Sequence, residues 1–450
     1  MSDLLELAER IVDRAAGDEQ IEAFALREVT TRLQARDGAL ESLSSAESRG
    51  IGVRLVADGR QGYAFTASVD DAGLDEAVEE ARSNAAVATP DPANSLPDPA
   101  DVADLDGLVD PAFETTPVDH RIDLALRCDA AVRGADPRVI PASTVHYADA
   151  HSHVAIASSS GIRLAAARTD AWAYAEAIVR VGQESRTGLG LTLGVGPSTL
   201  DVEAAGREGV ERAVRLLGAT KPATRRVSVV FDPLVTAQFL GVLASALSAE
   251  AVLKGRSLFA GLLGDDVAAS GVTLFDDGLL PGAPGTAPFD GEGVPAQATP
   301  LIERGRLSSY LHNTWTARRT GDGTVSTGNA HRAGFKSSPT VAPTNLYLAD
   351  DAVDAAAVIG RVDEGVYVQD VMGLHSGANP ISGEFSVSFS GLAIQDGELA
   401  EPLHEAAVSS TIVDVLRSID VVASDRRFFP FGGSLGGATV LVGEMSVSGG

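Results

Sequence analysis

The first half of the chain repeats one order of helix, strands and helix, and this pattern most constrains the fold. Residues 1–90 read as a helix ("SDLLELAERIVDRAAG"), strands ("IEAFALREVTTRLQA", "GIGVRLVADGRQGYAFTAS") and a helix ("LDEAVEEARSNAAV"). The order returns over 115–217, from "DHRIDLALRCDAAVRG" to "DVEAAGREGVERAVRLLG". Helical spacing of apolar residues predicts the helices, and alternation predicts the strands. We therefore predict an N-terminal α+β domain over 1–218, built from two related helix–meander–helix units.

The second half has a different character. The segment "ATKPATRR" (219–226) looks like a boundary, and a buried strand, "VSVVFDP", follows it. Residues 232–253 are nearly all apolar and predict one long helix, after which short alternating strands are separated by Gly-rich turns. This pattern indicates a second domain over 226–450, mostly antiparallel β, as a sandwich or barrel. The predicted fold class is α+β.

Charge and cysteine content narrow the possible partners. The chain has 62 acidic and 35 basic residues, for a net charge of −27. This argues against binding to the phosphates of nucleic acids or to anionic lipid. Cys128 is the sole cysteine, so no internal disulfide forms and a reducing compartment suits the chain. We find no signal peptide and no apolar run of membrane-spanning length, and we expect a cytoplasmic protein without nucleic-acid or membrane partners.

Two groups of side chains are candidates for chemistry. His151 and His153 are two apart, so on a strand both face one side and could bind a transition metal. No third ligand lies nearby in sequence, which favours a polar strand end. Asp290 and Glu292 could do acid–base work or could cap a turn with their oxygens, and the local sequence favours the turn. No nucleophile elbow and no phosphate-binding loop is present.

The stretch "GLHSGANPISGEF" (373–385) is the candidate substrate- or partner-facing loop. Its glycines allow positive φ or close backbone approach, and Asn379-Pro380 favours a turn. We predict that the loop lines a cleft and that His375 contacts substrate or partner without transferring a proton in the rate-limiting step. A structural turn away from the cleft is the alternative. The residues concerned are Gly373, His375, Gly377, Asn379, Gly383 and Phe385.

Four stretches together resemble one known family. They are "FDGEGVPAQATPLIERGRL" (289–307), "STGNAHR" (326–332), "PTNLYL" (343–348) and "GLHSGANPISGEFSVSFSGLAIQDGEL" (373–399). Over essentially its whole length the chain resembles the TldD/PmbA family, also described as modulators of DNA gyrase. The TldD kind is a zinc metallopeptidase with His-Glu-x-x-x-His on the apolar helix, closely followed by Lys-Gly-x-Ser-x-Phe-x-Gly. The TldE (PmbA) kind pairs with it and lacks the zinc motif.

The zinc ligands of the TldD kind are missing here. The downstream stretch is present as Lys254, Gly255, Ser257, Phe259 and Gly261. Counting back without gaps places the two histidine positions on Leu240 and Ser245, and the glutamate position on Gly241. Residues 232–253 contain no histidine, and the late cysteine ligand of the catalytic kind is absent. The resemblance therefore implies a TldE-like subunit.

The resemblance also implies a function. A TldE-like chain would pair with a TldD-like zinc-bearing subunit in a heterodimeric peptidase that degrades unfolded peptides or processes precursor peptides. This chain would then hold no catalytic residue, no metal and no cofactor, and the zinc would belong to the partner. Two alternatives stay open: an independent, self-dimerising binding or regulatory protein, and an enzyme with its own chemistry at His375.

Overall fold

The computed structural model describes residues 2–379, 381–430 and 433–449, with Ser2, His375 and Ser376 described by their backbone alone. The first half contains α1 (Ser2–Val12), β1 (Gln20–Arg36), β2 (Ala39–Ala57), β3 (Arg60–Thr66) and α2 (Asp71–Val87), then a 3-10 turn (Phe113–Thr115), α3 (Val118–Ala135), β4 (Thr144–Ser158), β5 (Arg163–Val181), β6 (Glu184–Gly194), a second 3-10 turn (Pro197–Thr199) and α4 (Val202–Val214). A helix, three strands and a helix thus occur twice, in the order that the sequence pattern predicts.

The six strands form one antiparallel sheet in the order β3-β2-β1-β4-β5-β6. The two units therefore join through β1 and β4 at its centre. Glycines let the outer strands approach the helices in the same way in both units. A Cβ at Gly62 would lie 1.9 Å from the backbone oxygen of Ala81 in α2, and a Cβ at Gly190 would lie 1.9 Å from that of Ala205 in α4.

The second half is rich in strands. Its elements are β7 (Arg225–Phe231), α5 (Pro233–Ala246), α6 (Ala249–Leu253), β8 (Leu274–Asp277), β9 (Ala298–Glu303), β10 (Arg306–Leu307), α7 (Thr314–Thr320), β11 (Ala330–His331), β12 (Thr340–Val341), β13 (Asn345–Leu348), α8 (Ala355–Ile359), β14 (Glu364–Met372), α9 (Leu374–Gly377), β15 (Glu384–Gln395), β16 (Glu398–Thr411), α10 (Ile412–Ser418), β17 (Ile419–Val422), β18 (Arg427–Phe429), β19 (Ser434–Gly437) and β20 (Val440–Gly449).

These strands form two six-stranded sheets and the β11–β12 pair. One sheet has the order β16-β15-β14-β7-β20-β17, and β16 also pairs with β20, so five of its strands close into a ring. The other has the order β10-β9-β8-β13-β19-β18. Most pairings are antiparallel, whereas β7–β14 and β13–β19 are parallel. Among the described residues, no helix is long and apolar enough to span a membrane.

The expected single long helix over 232–253 is wrong in length. The chain instead forms α5, with 14 residues, and α6, with five. At the break, Leu311 donates its N–H to the oxygen of Leu247 (3.0 Å) and accepts the N–H of Ala249 (2.9 Å). Ser248 is extended there, with φ −65° and ψ 123°. A backbone pairing with a distant segment thus replaces helical hydrogen bonds, which apolar periodicity cannot reveal.

Candidate functional site

Helix α5 forms the floor of the candidate site, and its first turn is tightly held. The Asp232 carboxylate caps the helix by accepting the N–H of Leu234 at 2.9 Å. The same carboxylate accepts hydrogen bonds from Arg212 Nη1 of α4 (2.8 Å) and from the Tyr367 hydroxyl of β14 (2.6 Å). The start of α5 is therefore fixed to both halves of the molecule.

One face of α5 borders a cleft of about 780 Å³. Gln238, Gly241, Val242 and Ser245 line it, and their three- and four-residue spacing places them on one side of the helix. We call this hollow the α5 cleft. Its remaining lining residues are Ala244, Ser248, Val341, Ala342, Pro343, Val371, Gly373, Leu374, Ala378 and Leu435.

The α5 cleft does not offer a zinc-binding set of side chains. Of the three positions reached by counting back from Lys254, Leu240 is completely buried in the core, whereas Gly241 and Ser245 line the cleft. The Ser245 hydroxyl donates to the oxygen of Gly241 at 3.4 Å. None of the described lining residues is His, Cys, Asp or Glu. Because a zinc site needs at least three such protein ligands, the residues present do not fit a zinc ion.

The motif after α5 has a structural role. The Ser257 hydroxyl donates to the oxygen of Ala246 and accepts the N–H of Phe259 at 3.0 Å. Phe259 is fully buried, and its oxygen accepts the Tyr310 hydroxyl at 2.7 Å. These contacts anchor the end of α5 and therefore help to fix the shape of the cleft.

The predicted loop reaches the α5 cleft through Gly373, which has a φ of 78° and lies among the lining residues. Gly377 belongs to α9, and a Cβ there would lie 2.8 Å from the oxygen of Ser386. Phe385 is buried and packs edge-on against Phe239 of α5, with ring centroids 6.2 Å apart. The loop thus lies beside the cleft, and the packing of Phe385 against α5 holds it there.

The rest of the loop is a tight turn. The Asn379 side chain accepts the N–H groups of Ile381 (2.9 Å) and Ser382 (3.2 Å), and its backbone oxygen accepts the N–H of Gly383 at 2.7 Å. Gly383 is buried and has a φ of 76°. The side chain of His375 and the whole of Pro380 lie outside the described residues. Contact of His375 with substrate or partner stays a prediction.

Asp290 and Glu292 serve a turn. The Asp290 carboxylate accepts the N–H groups of Glu292 (2.8 Å), Val294 (3.0 Å) and Ala330 (3.0 Å). Glu292 accepts the N–H of Thr314 at 2.9 Å and so caps the region where α7 begins. Burial, with the nearby Glu292 carboxylate, raises the pKa of Asp290. Burial alone would raise the pKa of Glu292 too, but the Arg54 guanidinium holds it below its usual value.

Glu292 also belongs to a buried ionic cluster that joins the two halves of the chain. Arg54 of β2 binds Glu292 at 2.5 Å and Glu22 of β1 at 2.6 Å. Arg332 binds the other oxygen of Glu22. All four side chains are at most 3% exposed. The pair of carboxylates is thus part of a connection between the N-terminal sheet and the later loops, which favours a positioning role over acid–base chemistry.

A second hollow, of about 520 Å³, lies between the N-terminal sheet and the loops of the second half. We call it the sheet-face pocket. Arg168, Asp170 and Trp172 of β5 line it, and Arg168 Nη1 donates to the oxygen of Thr286 at 2.9 Å. Burial raises the pKa of Asp170 and lowers that of His331 in the same pocket. Sequence analysis missed this group, although alternation along β5 places the three β5 residues on one face.

Buried amides shape the wall between the two hollows, which share Ala342 and Pro343. Asn329 Nδ2 donates to Asp276 Oδ2 at 2.6 Å, and burial raises the pKa of Asp276 to about 6. Asn345 Nδ2 donates to the oxygen of Asp277 at 2.7 Å. The stretches "STGNAHR" and "PTNLYL" therefore hold loops in place through these asparagines.

The His151–His153 pair gains a third neighbour in space. The two rings lie on one face of β4 with centroids 4.2 Å apart. Glu114, from the 3-10 turn before α3, brings Oε1 to 3.6 Å from His151 Nδ1. One donor atom from each of the three residues lies within 4.8 Å of the others. The spacing of these residues in the sequence gave no indication of Glu114.

Comparisons with known proteins point to one family. The description "PmbA/TldA metallopeptidase" matches as domain 1 over residues 21–85, as central domain over 111–217 and as C-terminal domain over 224–449. A metalloprotease of Methanothermobacter thermautotrophicus is 30% identical over 431 residues, which span 91% of this chain and 90% of the relative. Metalloprotease PmbA of Escherichia coli O157:H7 is 24% identical over 419 residues, or 92% of this chain and 89% of the relative.

Solved structures share the fold. A candidate modulator of a DNA gyrase from Thermotoga maritima has a TM-score of 0.89 and 26% identity, over 98% of this chain and 99% of that one. TldE from Thermococcus kodakarensis has a TM-score of 0.88 and 22% identity, over the full length of both chains. The matched sequence and the shared architecture agree, and the chain is a member of the PmbA/TldD family.

Proposed function

We propose that this chain is the TldE-like subunit, without a catalytic zinc, of a two-chain metallopeptidase. It pairs with a TldD-like subunit that carries the zinc, and the pair hydrolyses unfolded or precursor peptides in the cytoplasm. One observation carries the proposal: the face of α5 that borders the cleft presents Gln238, Gly241, Val242 and Ser245, a set without a zinc ligand. The elements that surround α5 are nevertheless all formed. A subunit that supports the chemistry of its partner needs this intact fold.

The shape of the molecule supports a role in holding an extended peptide. The α5 cleft and the sheet-face pocket lie on the two sides of residues 342–343, so an extended peptide that crosses this shared wall would contact both. Apart from Gln238, the side chains that border the α5 cleft are small or apolar, and such side chains accept varied sequences. We assign this chain one wall of the shared cleft.

Co-expression with a TldD-like chain tests the proposal. We expect a single heterodimer by light scattering, with an interface above about 2,000 Å² as obligate pairs have. If the two chains instead elute separately at micromolar concentration, and this chain forms a homodimer, the self-dimerising regulatory protein becomes the better account. Peptide hydrolysis by this chain alone would favour the third alternative, chemistry of its own.

A further inference from the structure

The second unit of the N-terminal domain carries a group of possible metal ligands that the proposed peptidase function does not involve. His151 and His153 lie on the face of β4 that also bears Tyr147 and Ala155, which belong to the buried core. The pair sits between those two core clusters. The His151 side chain is only 11% exposed, so this is not a freely solvated strand end.

Glu114 is held next to the pair by its neighbours in the 3-10 turn. Phe113 is buried, and its ring packs edge-on against His151 with centroids 5.6 Å apart. Arg121 Nη2 donates to the oxygen of Phe113 at 3.2 Å, and Nη1 donates to the oxygen of Thr116. The backbone on both sides of Glu114 is therefore fixed, while its own side chain is 77% exposed and free to turn toward the histidines.

The sheet fixes the same turn from the other side. Thr169 of β5, the cross-strand partner of His151, accepts the N–H of Asp110 at 2.8 Å through its hydroxyl. The Thr169 N–H donates to the oxygen of Leu108 at 2.9 Å. Rigid support of this kind pre-positions ligand side chains for a metal ion.

Two buried ring nitrogens lack partners. Within the described part of the chain, neither His151 Nε2 nor His153 Nδ1 has a hydrogen-bond partner, and both are inaccessible to solvent. Unpaired buried polar atoms are costly, so such atoms call for an explanation. The cation opposite His153 on β1, Arg27, is engaged by Glu47 at 2.8 Å. A metal ion binds one nitrogen of each ring. Bound to His151 Nδ1, the nitrogen that faces Glu114, an ion that also takes His153 Nδ1 would give one of the two unpaired nitrogens a partner, whereas His151 Nε2 stays unpaired.

We propose that Glu114, His151 and His153 bind one divalent first-row transition-metal ion, such as zinc, outside the α5 cleft. Imidazole and carboxylate are ordinary ligands of such ions. Ligand atoms about 2.0–2.2 Å from a tetrahedral zinc lie roughly 3.3–3.6 Å apart, close to the 3.6 Å between Glu114 and His151. Water completes the coordination on the exposed side. The ion ties the 3-10 turn to β4, and the site revises the sequence-based expectation of a chain without metal.

Zinc titration of the isolated, tag-free, chelator-treated chain by calorimetry tests this site. We expect about one zinc per chain and a rise in melting temperature of several degrees when zinc is added. His153→Ala should abolish the binding, and Glu114→Gln should weaken it by about tenfold or more. Because Glu114 is exposed, its replacement leaves the apo fold intact.

His404→Ala is the matched control. His404 is also partly buried beside a glutamate, with Nδ1 3.7 Å from Glu405 Oε1, but it belongs to no three-residue cluster in the described part of the chain. Its replacement should leave zinc binding unchanged. Absence of zinc binding by the wild type, or binding that survives both His151→Ala and His153→Ala, would overturn the proposal. Neither result depends on peptide hydrolysis, so the outcome is independent of the proposed function.

Discussion

Replacing Arg54 by Met tests whether the buried ionic cluster holds the two halves of the chain together. Arg54 is 3% exposed, and its partners Glu22 and Glu292 are 1% and 0% exposed. Glu22 keeps Arg332 in the variant, whereas Glu292 loses its cation. Removing one partner of a buried ion pair costs about 3–5 kcal/mol, because a buried charge is left uncompensated. We expect a loss of that size in the free energy of unfolding at pH 7.

The sign of the pH effect follows from Glu292. In the wild type its pKa is lowered, so its stabilising contribution is present above the unfolded value of 4.5 and is lost as the pH falls through the folded value. Without Arg54, burial raises the pKa of Glu292, and protonation at low pH removes the uncompensated buried charge. The difference between Arg54→Met and the wild type should therefore shrink between pH 7 and pH 4. Adding Glu292→Gln to Arg54→Met should recover part of the loss at pH 7.

Urea denaturation followed by circular dichroism measures these free energies. The fluorescence of Trp315 gives a second signal close to the cluster. Trp315 follows Thr314, and the N–H of Thr314 donates to Glu292. The control is Arg10→Met, which removes exposed pairing with Asp71 (side chains 40% and 78% exposed) and should cost about 0–1 kcal/mol. If Arg54→Met lies within about 1 kcal/mol of the wild type, or matches the control, the cluster does not hold the halves together.

Three further changes test other parts of the account. Burial raises the pKa of Asp276 from 3.8 to about 6, so the folded form binds a proton first, and this group makes the stability slope upward by roughly 2 kcal/mol as the pH falls from 7 to 4. Asp276→Asn should remove this slope in urea titrations at several pH values, whereas Asp277→Asn should keep it. Ser245→Trp places a large side chain in the α5 cleft from an exposed position. It should lower peptide hydrolysis by the complex at least about tenfold without preventing assembly of the two subunits. Equal activity of Ser245→Trp and Ser245→Ala would show that the substrate does not pass through the cleft. Gly190→Ala places a Cβ 1.9 Å from the oxygen of Ala205 and should lower the melting temperature sharply. Gly134→Ala, at an exposed position near the end of α3, meets nothing within 4 Å and should be neutral or stabilising.

The local periodicity of apolar residues predicted much of the secondary structure. It predicted both helix–meander–helix units because each helix and strand buries one face against the same sheet. It could not reveal that α5 ends at Ala246, since Leu311 and Ser257 supply the competing backbone contacts from other segments. It also gave no sign that β1 and β4 pair at the centre of the sheet, which depends on how the two units meet.

The site was predicted unevenly for the same reason. Counting along the sequence placed Gly241 and Ser245 where the structure has a cleft, because a helix converts spacing into a face. The sequence did not predict that Glu114 lies beside the histidines or that Arg54 forms an ionic cluster, because the partners of these residues lie far away along the chain. The turn interpretation of Asp290 and Glu292 was favoured by local sequence, and their hydrogen bonds agree with it.

The most direct test of the central claim is hydrolysis of an unfolded peptide by this chain, by a TldD-like partner and by their mixture. All three samples are measured at equal concentrations, with and without a zinc chelator. The account predicts hydrolysis by the mixture, its loss on chelation, and none by this chain alone. It also predicts that His153→Ala leaves the activity of the mixture unchanged. Hydrolysis by the isolated chain, or a mixture no more active than the partner by itself, would contradict the assignment of a subunit that lacks a catalytic zinc and completes the peptidase.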